Sequence, residues 1–453
     1  MSNETTDKLG TQSIGKLLLS LALPAIIAQL INMLYNIVDR IYIGHIPEIG
    51  AIALTGVGVA FPIIILITAF SSLIGMGGAP RAAIKMGEKK DEEAEQILGN
   101  CVSLIVLLSI ILTVFFSVTG KSLLMKFGAS SETILYADSY LSIYVIGTIF
   151  VMTTLGLNSF ITNQGFAKTS MLTVIIGAII NIILDPILIF GFNMGVKGAA
   201  IATVISQAAS AIWVIKFMVG DKTKLKIRKK NLKIKKEVVI PILLLGISPF
   251  IMQSTESILN ISLNSSLQKY GGDIAVGAMT ILASLMQLMF LPLTGLTQGA
   301  QPIISYNYGA KKNSRVKEAF RLLLISSIVF STVLWLLMML LPKVFVSLFT
   351  RDPELIKITV WAIRIYLGAA LVLGAQISCQ QTFIALGQAK ISLFLALLRK
   401  VILLIPLIYI FPLFFSNKVF AVFFAEPVAD VIATTVTVAA FTLKFKSLLK
   451  ENE

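Results

Sequence analysis

Asp39 follows Gln29, Asn32 and Asn36 at spacings of three, four and three residues, which draws one polar stripe along a helix. Gln253, Glu256, Asn260 and Asn264 draw a second such stripe in the other half of the chain. Asn181 and Asp185, four residues apart, share a face of a third helix. All of these groups interrupt long apolar runs. Polar stripes turned to lipid are costly, so they must face a bundle interior or a wet cavity. Helix–helix hydrogen bonding is the plain reading of the amides. The acids ask for more, because a lone carboxylate at mid-membrane costs about 2.5–3.5 kcal/mol on insertion scales. Two carboxylates held close in a poorly solvated site cannot both stay ionised, so such a pair takes up a proton. With amide and hydroxyl oxygens beside it, the pair can instead hold a small cation such as Na⁺. The residues leave that choice open.

Depth brings four of these groups together. Counted from the outer ends of their helices, Asp39 lies about three residues in and Asp185 about five, roughly 5–8 Å at 1.5 Å per residue. Thr203 lies roughly 12 Å in on the same scale. Asp39, Asn181, Asp185 and Thr203 are therefore expected to meet in the outer half of the first bundle. The second half carries a different set: Glu256, Arg364, Arg399, Lys400, Glu426 and Asp430. Mutual salt bridges are the plain reading there. Glu256 is the second-half candidate for a mobile role, because it belongs to the stripe. Gln29, Asn32, Asn36, Gln253, Asn260, Arg364, Glu426 and Asp430 are expected to line the cavity. Tyr35, Tyr140, Tyr144, Met286 and Met289 either line it or belong to ordinary packing.

The elements that position these groups must be membrane helices. Mean hydropathy is +0.89 and only 13% of residues are charged, far outside the soluble range. Twelve apolar runs are long enough to cross a hydrocarbon core of roughly 30 Å. They lie near 15–42, 51–76, 95–118, 133–156, 166–191, 195–219, 238–264, 273–299, 316–341, 355–385, 391–415 and 418–443. A basic segment with nine Lys/Arg between Lys222 and Lys236 divides them six and six. The expected organisation is a first lobe over 1–220, a basic cytoplasmic linker over 221–237 and a second lobe over 238–453. The formal charge of +15 sits mainly in loops on one side of the twelve spans, which makes that side cytoplasmic and gives nucleic acid no part.

The halves also repeat. Gly77, Pro80, Gly87, Lys89 and Lys90 recur 222 positions later as Gly299, Pro302, Gly309, Lys311 and Lys312. Gly165, Ala167, Lys168 and Ser170 recur at the same offset as Gly387, Ala389, Lys390 and Ser392. An even number of spans per repeat gives both halves one orientation, with their symmetry axis along the membrane normal. The fold class expected is an all-α polytopic membrane protein of twelve helices in two pseudo-symmetric six-helix bundles. Cys101 and Cys379 fall in or near spans without ligand spacing and read as packing residues. His45, the one histidine, lies in a short outer loop. No metal-ligand spacing or nucleophile motif points to an enzyme or a cofactor.

At these residues the chain resembles the multidrug and toxic compound extrusion (MATE) family. The most specific stretches are Gly299-Ala-Gln-Pro-Ile-Ile-Ser-Tyr-Asn-Tyr-Gly309 and Gly198-Ala-Ala-Ile-Ala-Thr-Val-Ile-Ser-Gln207, which are similar to the MepA-like branch. The resemblance implies a V-shaped pair of lobes in a bacterial cell membrane, working as a monomer. It implies export of cationic or amphipathic drug-like molecules in antiport with H⁺ or Na⁺. It also implies a first-lobe cation site, and Asp39, Asn181, Asp185 and Thr203 fit that pattern residue by residue. Glu256 fits a span-seven glutamate used in other branches, whereas the span-ten aspartate of those branches has no counterpart here. The rival reading is a flippase for anionic lipid-linked precursors, which Arg364, Arg399 and Lys400 would serve.

Overall fold

The computed structural model describes residues 8–451, so the termini themselves lie outside the described residues. Every regular element among those residues is helical. The first half runs through α1 (Ile14–Gly44), α2 (Gly50–Gly87), α3 (Asp91–Lys126), α4 (Thr133–Ile146), α5 (Thr148–Asn163), α6 (Ala167–Pro186) and α7 (Gly195–Val219). The second runs through α8 (Lys236–Gly309), α9 (Asn313–Leu340), α10 (Pro342–Ser347), α11 (Pro353–Tyr366), α12 (Leu373–Ala385), α13 (Ala389–Leu397), α14 (Ile405–Phe414) and α15 (Lys418–Glu451).

These elements make twelve passes. Among the described residues nine helices are long and apolar enough to cross a membrane, and two bent pairs, α4–α5 and α11–α12, bring the number to eleven. The twelfth comes from α8. Its 74 residues would reach roughly 110 Å if straight, far beyond a bilayer core of about 30 Å. The chain turns back at Gly272, whose φ of 63° is open to glycine at little cost.

Two spans expected to be continuous are broken. The α4–α5 pair bends by 58° at Gly147, where a side chain would run into Val204, and the α11–α12 pair bends by 49°. Two others contain a widened π-helical turn. One, Ile187–Gly191, follows Asp185-Pro186 directly, and the other, Leu398–Leu404, contains Arg399 and Lys400. Proline removes an amide donor and crowds the preceding turn, which accounts for the first.

Three packed cores hold the helices. One is drawn from residues between Ile43 and Ile242, a second from residues between Leu259 and Ala429. The third ties Leu9–Ala22 of the N-terminal region to second-half residues such as Ala300, Ile303 and Phe383. The repeated glycines explain how the halves approach so closely. A Cβ on Gly87 would strike the Tyr306 carbonyl, and one on Gly309 would strike the Ile84 carbonyl. Gly77 lies against Ile242 and Gly246, while Gly299 lies against Ala22. The motif is thus a reciprocal seam in which bare backbone meets backbone across the two halves. Lys89 and Lys311, at matching places after the seam glycines, both take positive φ (61° and 57°).

The seam is at the end of the molecule that carries the basic segment. That segment does not hang free. Arg228 pairs with Glu95 at 2.8 Å, Lys224 with Asp91 at 3.0 Å, and Gln164 accepts from the backbone of Lys224 and Leu225. At the same end Asn307, Lys312 and Arg315 donate to the carbonyls of Leu9, Gly10 and Gln12. Further in, Gln29 bonds Gln298 at 3.2 Å and Gln253 bonds Ser72 at 2.8 Å.

Candidate functional site

A cavity of about 580 Å³ opens inside the first half, walled by α1, α2, α4, α5, α6 and α7. Asp39 and Thr203 lie on its wall, with Tyr35, Asn36, Tyr140 and Tyr144. Asp185 is fully buried behind that wall, and its carboxyl group faces that of Asp39. Asn181, one turn before Asp185 on α6, donates its amide N–H to Asp185 Oδ1 at 3.2 Å. Thr203 gives its hydroxyl proton to the Ala199 carbonyl at 3.0 Å, so its oxygen remains an acceptor. The structure brings Asp39, Asn181 and Asp185 together, and Thr203 lines the same cavity as Asp39.

Three of the site's oxygens have no donor. Asp39 Oδ1, Asn181 Oδ1 and Asp185 Oδ2 are all buried and accept no hydrogen bond among the described residues. Three unsatisfied oxygens, two of them from carboxylates, are expensive to keep out of water. The complement they ask for is a proton or a hard cation, since the donor set is oxygen alone. No group of three or more His, Cys, Asp or Glu side chains is assembled among the described residues, so nothing here resembles a transition-metal centre. The π-helical turn beginning at Ile187 sits immediately beside the pair, a local distortion that often accompanies functional positions.

A second cavity, about 520 Å³, lies between the halves. Gln29, Asn32, Gln253 and Glu256 line it, together with Gln298 and Gln301. The two cavities share Asn32, Ile65, Thr68, Leu155 and Val174 in their walls, so they adjoin. Gln29 and Gln253 each spend a hydrogen bond on the opposite half, as polar glue does.

The second-half charges resolve into two groups. Lys400 donates to Glu256 and to the Met252 carbonyl, the latter at 2.8 Å. Glu256 therefore already carries a cation, with 49% of its side chain exposed at the cavity. Arg399, its neighbour, turns the other way: Nε donates to Asp430 Oδ1 at 2.6 Å and Nη2 to Glu426 Oε1 at 2.9 Å. Glu426 and Asp430 were expected on the cavity wall. They are instead buried, 2% and 1% exposed, because the guanidinium draws both inward. Arg364 and Asn260 are exposed and belong to neither cavity wall, and Arg364 has no ion pair among the described residues. Met286 and Met289 are core residues of the second half.

Sequence reasoning missed Arg40, Gln207, Gln298 and Gln301. Arg40 lies on the first cavity with its guanidinium 4.7 Å from the centre of the Phe61 ring. Gln207 follows Thr203 by one turn, and Gln298 and Gln301 flank the seam glycine Gly299, so helical spacing alone would have found them.

Residues 24–187 and 249–410, together well over half of the chain, match the family model described as MatE. Over 438 residues the chain is 27% identical to the multidrug export protein MepA of Staphylococcus haemolyticus, covering 96% of this chain and 95% of that relative. Its fold is similar to a MATE crystal structure in the bent conformation, with a TM-score of 0.92, 22% identity and 99% of each chain covered. It is similar also to the outward-facing structure of a multidrug resistance MATE family transporter, with a TM-score of 0.90, 22% identity, and 97% of this chain and 98% of that one covered.

Proposed function

We propose that this chain, which belongs to the MatE family of multidrug efflux transporters, exports cationic and amphipathic organic molecules in exchange for H⁺ or Na⁺. The observation that carries the reading is the pairing of Asp39 with Asp185 beside a cavity that adjoins the one between the halves. The pair offers acceptors and no donors, so it takes one small positive charge at a time. A proton or Na⁺ there cancels the negative potential that draws a cationic substrate into the adjoining space. Two loads that compete for one field exclude each other, which is the requirement for exchange rather than co-transport.

In this reading 1–220 and 238–453 are the two lobes, and the basic end with its segment 221–237 faces the cytoplasm. The seam of Gly77, Gly87, Gly299 and Gly309 closes that side, and export requires it to part when the cavity faces inward. Beside the exported molecule, the coupling ion is the only small ligand the mechanism uses, and the working unit is the monomer. The flippase reading fares worse, because Arg399 and Lys400 are already engaged by acids and Arg364 lies away from both cavities.

Ethidium accumulation in inverted vesicles, the counterpart of efflux from cells, tests this with the Na⁺ and proton gradients imposed separately. Accumulation driven by either gradient is expected, and its loss in Asp39→Asn and in Asp185→Asn. Dye-independent binding of anionic lipid pyrophosphates, with no gradient-driven dye efflux, would overturn it.

A further inference from the structure

The widened turn Leu398–Leu404 sends two adjacent cations to different neighbours. Lys400 meets Glu256 one to one at the cavity wall. Arg399 meets two carboxylates at once, those of Glu426 and Asp430 on α15. The side chains of Arg399, Glu426 and Asp430 are 11%, 3% and 2% exposed. Five charged groups thus comprise two cations and three anions, and the surplus negative charge falls in the buried triad.

Within the triad the oxygens differ. Glu426 Oε2 is buried and accepts no hydrogen bond among the described residues, while Glu426 Oε1 and Asp430 Oδ1 are both taken by Arg399. The other titratable or charged groups facing Glu426 are Glu256, Lys400 and Tyr366 of α11, the last buried and held edge-on against Phe423. On its remaining flank the guanidinium lies 5.8 Å from the Phe290 ring centre. None of these neighbours supplies the missing positive charge: Lys400 is committed to Glu256, and a tyrosine hydroxyl is neutral. An unmatched carboxylate oxygen in such surroundings bears the desolvation penalty of a charged group in full.

We infer that Glu426 is a second proton-binding site, in which one proton bonded to Oε2 neutralises the Arg399–Glu426–Asp430 triad. Taking it up forms one O–H bond and leaves the triad uncharged. Releasing it leaves one guanidinium divided between two anions. Glu256, the one widely exposed member of the five, places the cluster beside the cavity between the halves. As a contribution to transport this rests on the antiport reading above, since each half would then carry one coupling proton, and exchange of two protons for one monovalent cation would move net charge.

The test separates the two claims. Full-length protein carrying Asp39→Asn and Asp185→Asn is reconstituted in nanodiscs, and infrared difference spectra are recorded across a pH jump. A protonated-carboxyl band should survive in this background and vanish when Glu426→Gln is added. Asp430→Asn, which removes the surplus charge without touching Glu426, should shift the band's midpoint to lower pH by a unit or more. A purely structural triad would show no such shift. Absence of the band from the double-Asn background, its persistence in Glu426→Gln, or an unmoved midpoint in Asp430→Asn would each overturn the assignment. Failure of the antiport reading shows separately, as gradient-driven efflux that survives in the double-Asn protein.

Discussion

The seam between the halves can be loosened by a single methyl group. In Gly87→Ala the new Cβ would meet the Tyr306 carbonyl oxygen and, at 2.7 Å, the Ala310 nitrogen. In Gly309→Ala it would meet the Ile84 carbonyl group, with its carbon at 2.7 Å. Backbone atoms have no rotamer to change, so α2 and α8 must part. Overpacking of this kind costs about 1–3 kcal/mol, charged almost wholly to the sealed state. That lowers the ratio of sealed to parted molecules about 5- to 150-fold. A cysteine placed at Ala22, 3% exposed and lying against Gly299, reports the parting through its rate of maleimide labelling. Native Cys101 and Cys379 are free but buried, so they contribute little background. Labelling should rise by that ratio in either variant. The double variant should add much less than the sum, because both methyls demand the same separation. Labelling within about twofold of the parent, with thermal stability unchanged, would refute the claim that this contact holds the seam.

Other perturbations bear on the charged groups. Asp39→Asn and Asp185→Asn should each abolish gradient-driven efflux while purified protein keeps its melting temperature within a few degrees, read in proteoliposomes and by calorimetry. Arg399→Met leaves two buried carboxylates without a cation and should destabilise by about 3–5 kcal/mol, measured by denaturant unfolding in detergent. Lys400→Met should cost far less, because Glu256 is half exposed, and should tighten binding of a dicationic dye relative to a monocationic one in fluorescence titrations. Cysteines near Glu48 or Ser416 should label from outside the cell and one at Lys229 should not.

The first-half site was legible because helix geometry converts spacing into position. Asp39, Asp185 and Thr203 are read by depth from a span end, and Asn181 by its four-residue spacing to Asp185, which together place them in the outer half of the bundle. The second half resisted the same treatment. Adjacent residues diverge on any helix, but which way Arg399 and Lys400 turn depends on a π-helical turn that no side-chain pattern announces. With Arg399 aimed at α15, Glu426 and Asp430 leave the cavity for the core, and Glu256 gains a lysine instead of standing free. Arg364 is exposed on the short helix α11, which meets α12 at a 49° bend, whereas a continuous span ten was assumed. The α4–α5 break falls at a single glycine, Gly147, inside an apolar run where composition gives no warning. The repeat was visible at once, but its purpose was not, since two glycines distant in sequence say nothing of which backbone lies against them.

That purpose shows in the symmetry of the contact. Gly87 rests on the strip of chain leading to Gly309, and Gly309 on the strip leading to Gly87. A contact made twice with the roles exchanged is the mark of an isologous interface between identical subunits. Here both halves of that contact are written into one chain, so each copy's glycines constrain the other's. Gly78, beside the seam, faces inward on Cys101 and Phe160 of its own half, and its counterpart 222 residues on is Ala300. Gly77, Gly87, Gly299 and Gly309, which face across, are glycine in both copies. The join has the form of a dimer interface, made where backbone meets backbone and a methyl group has nowhere to go.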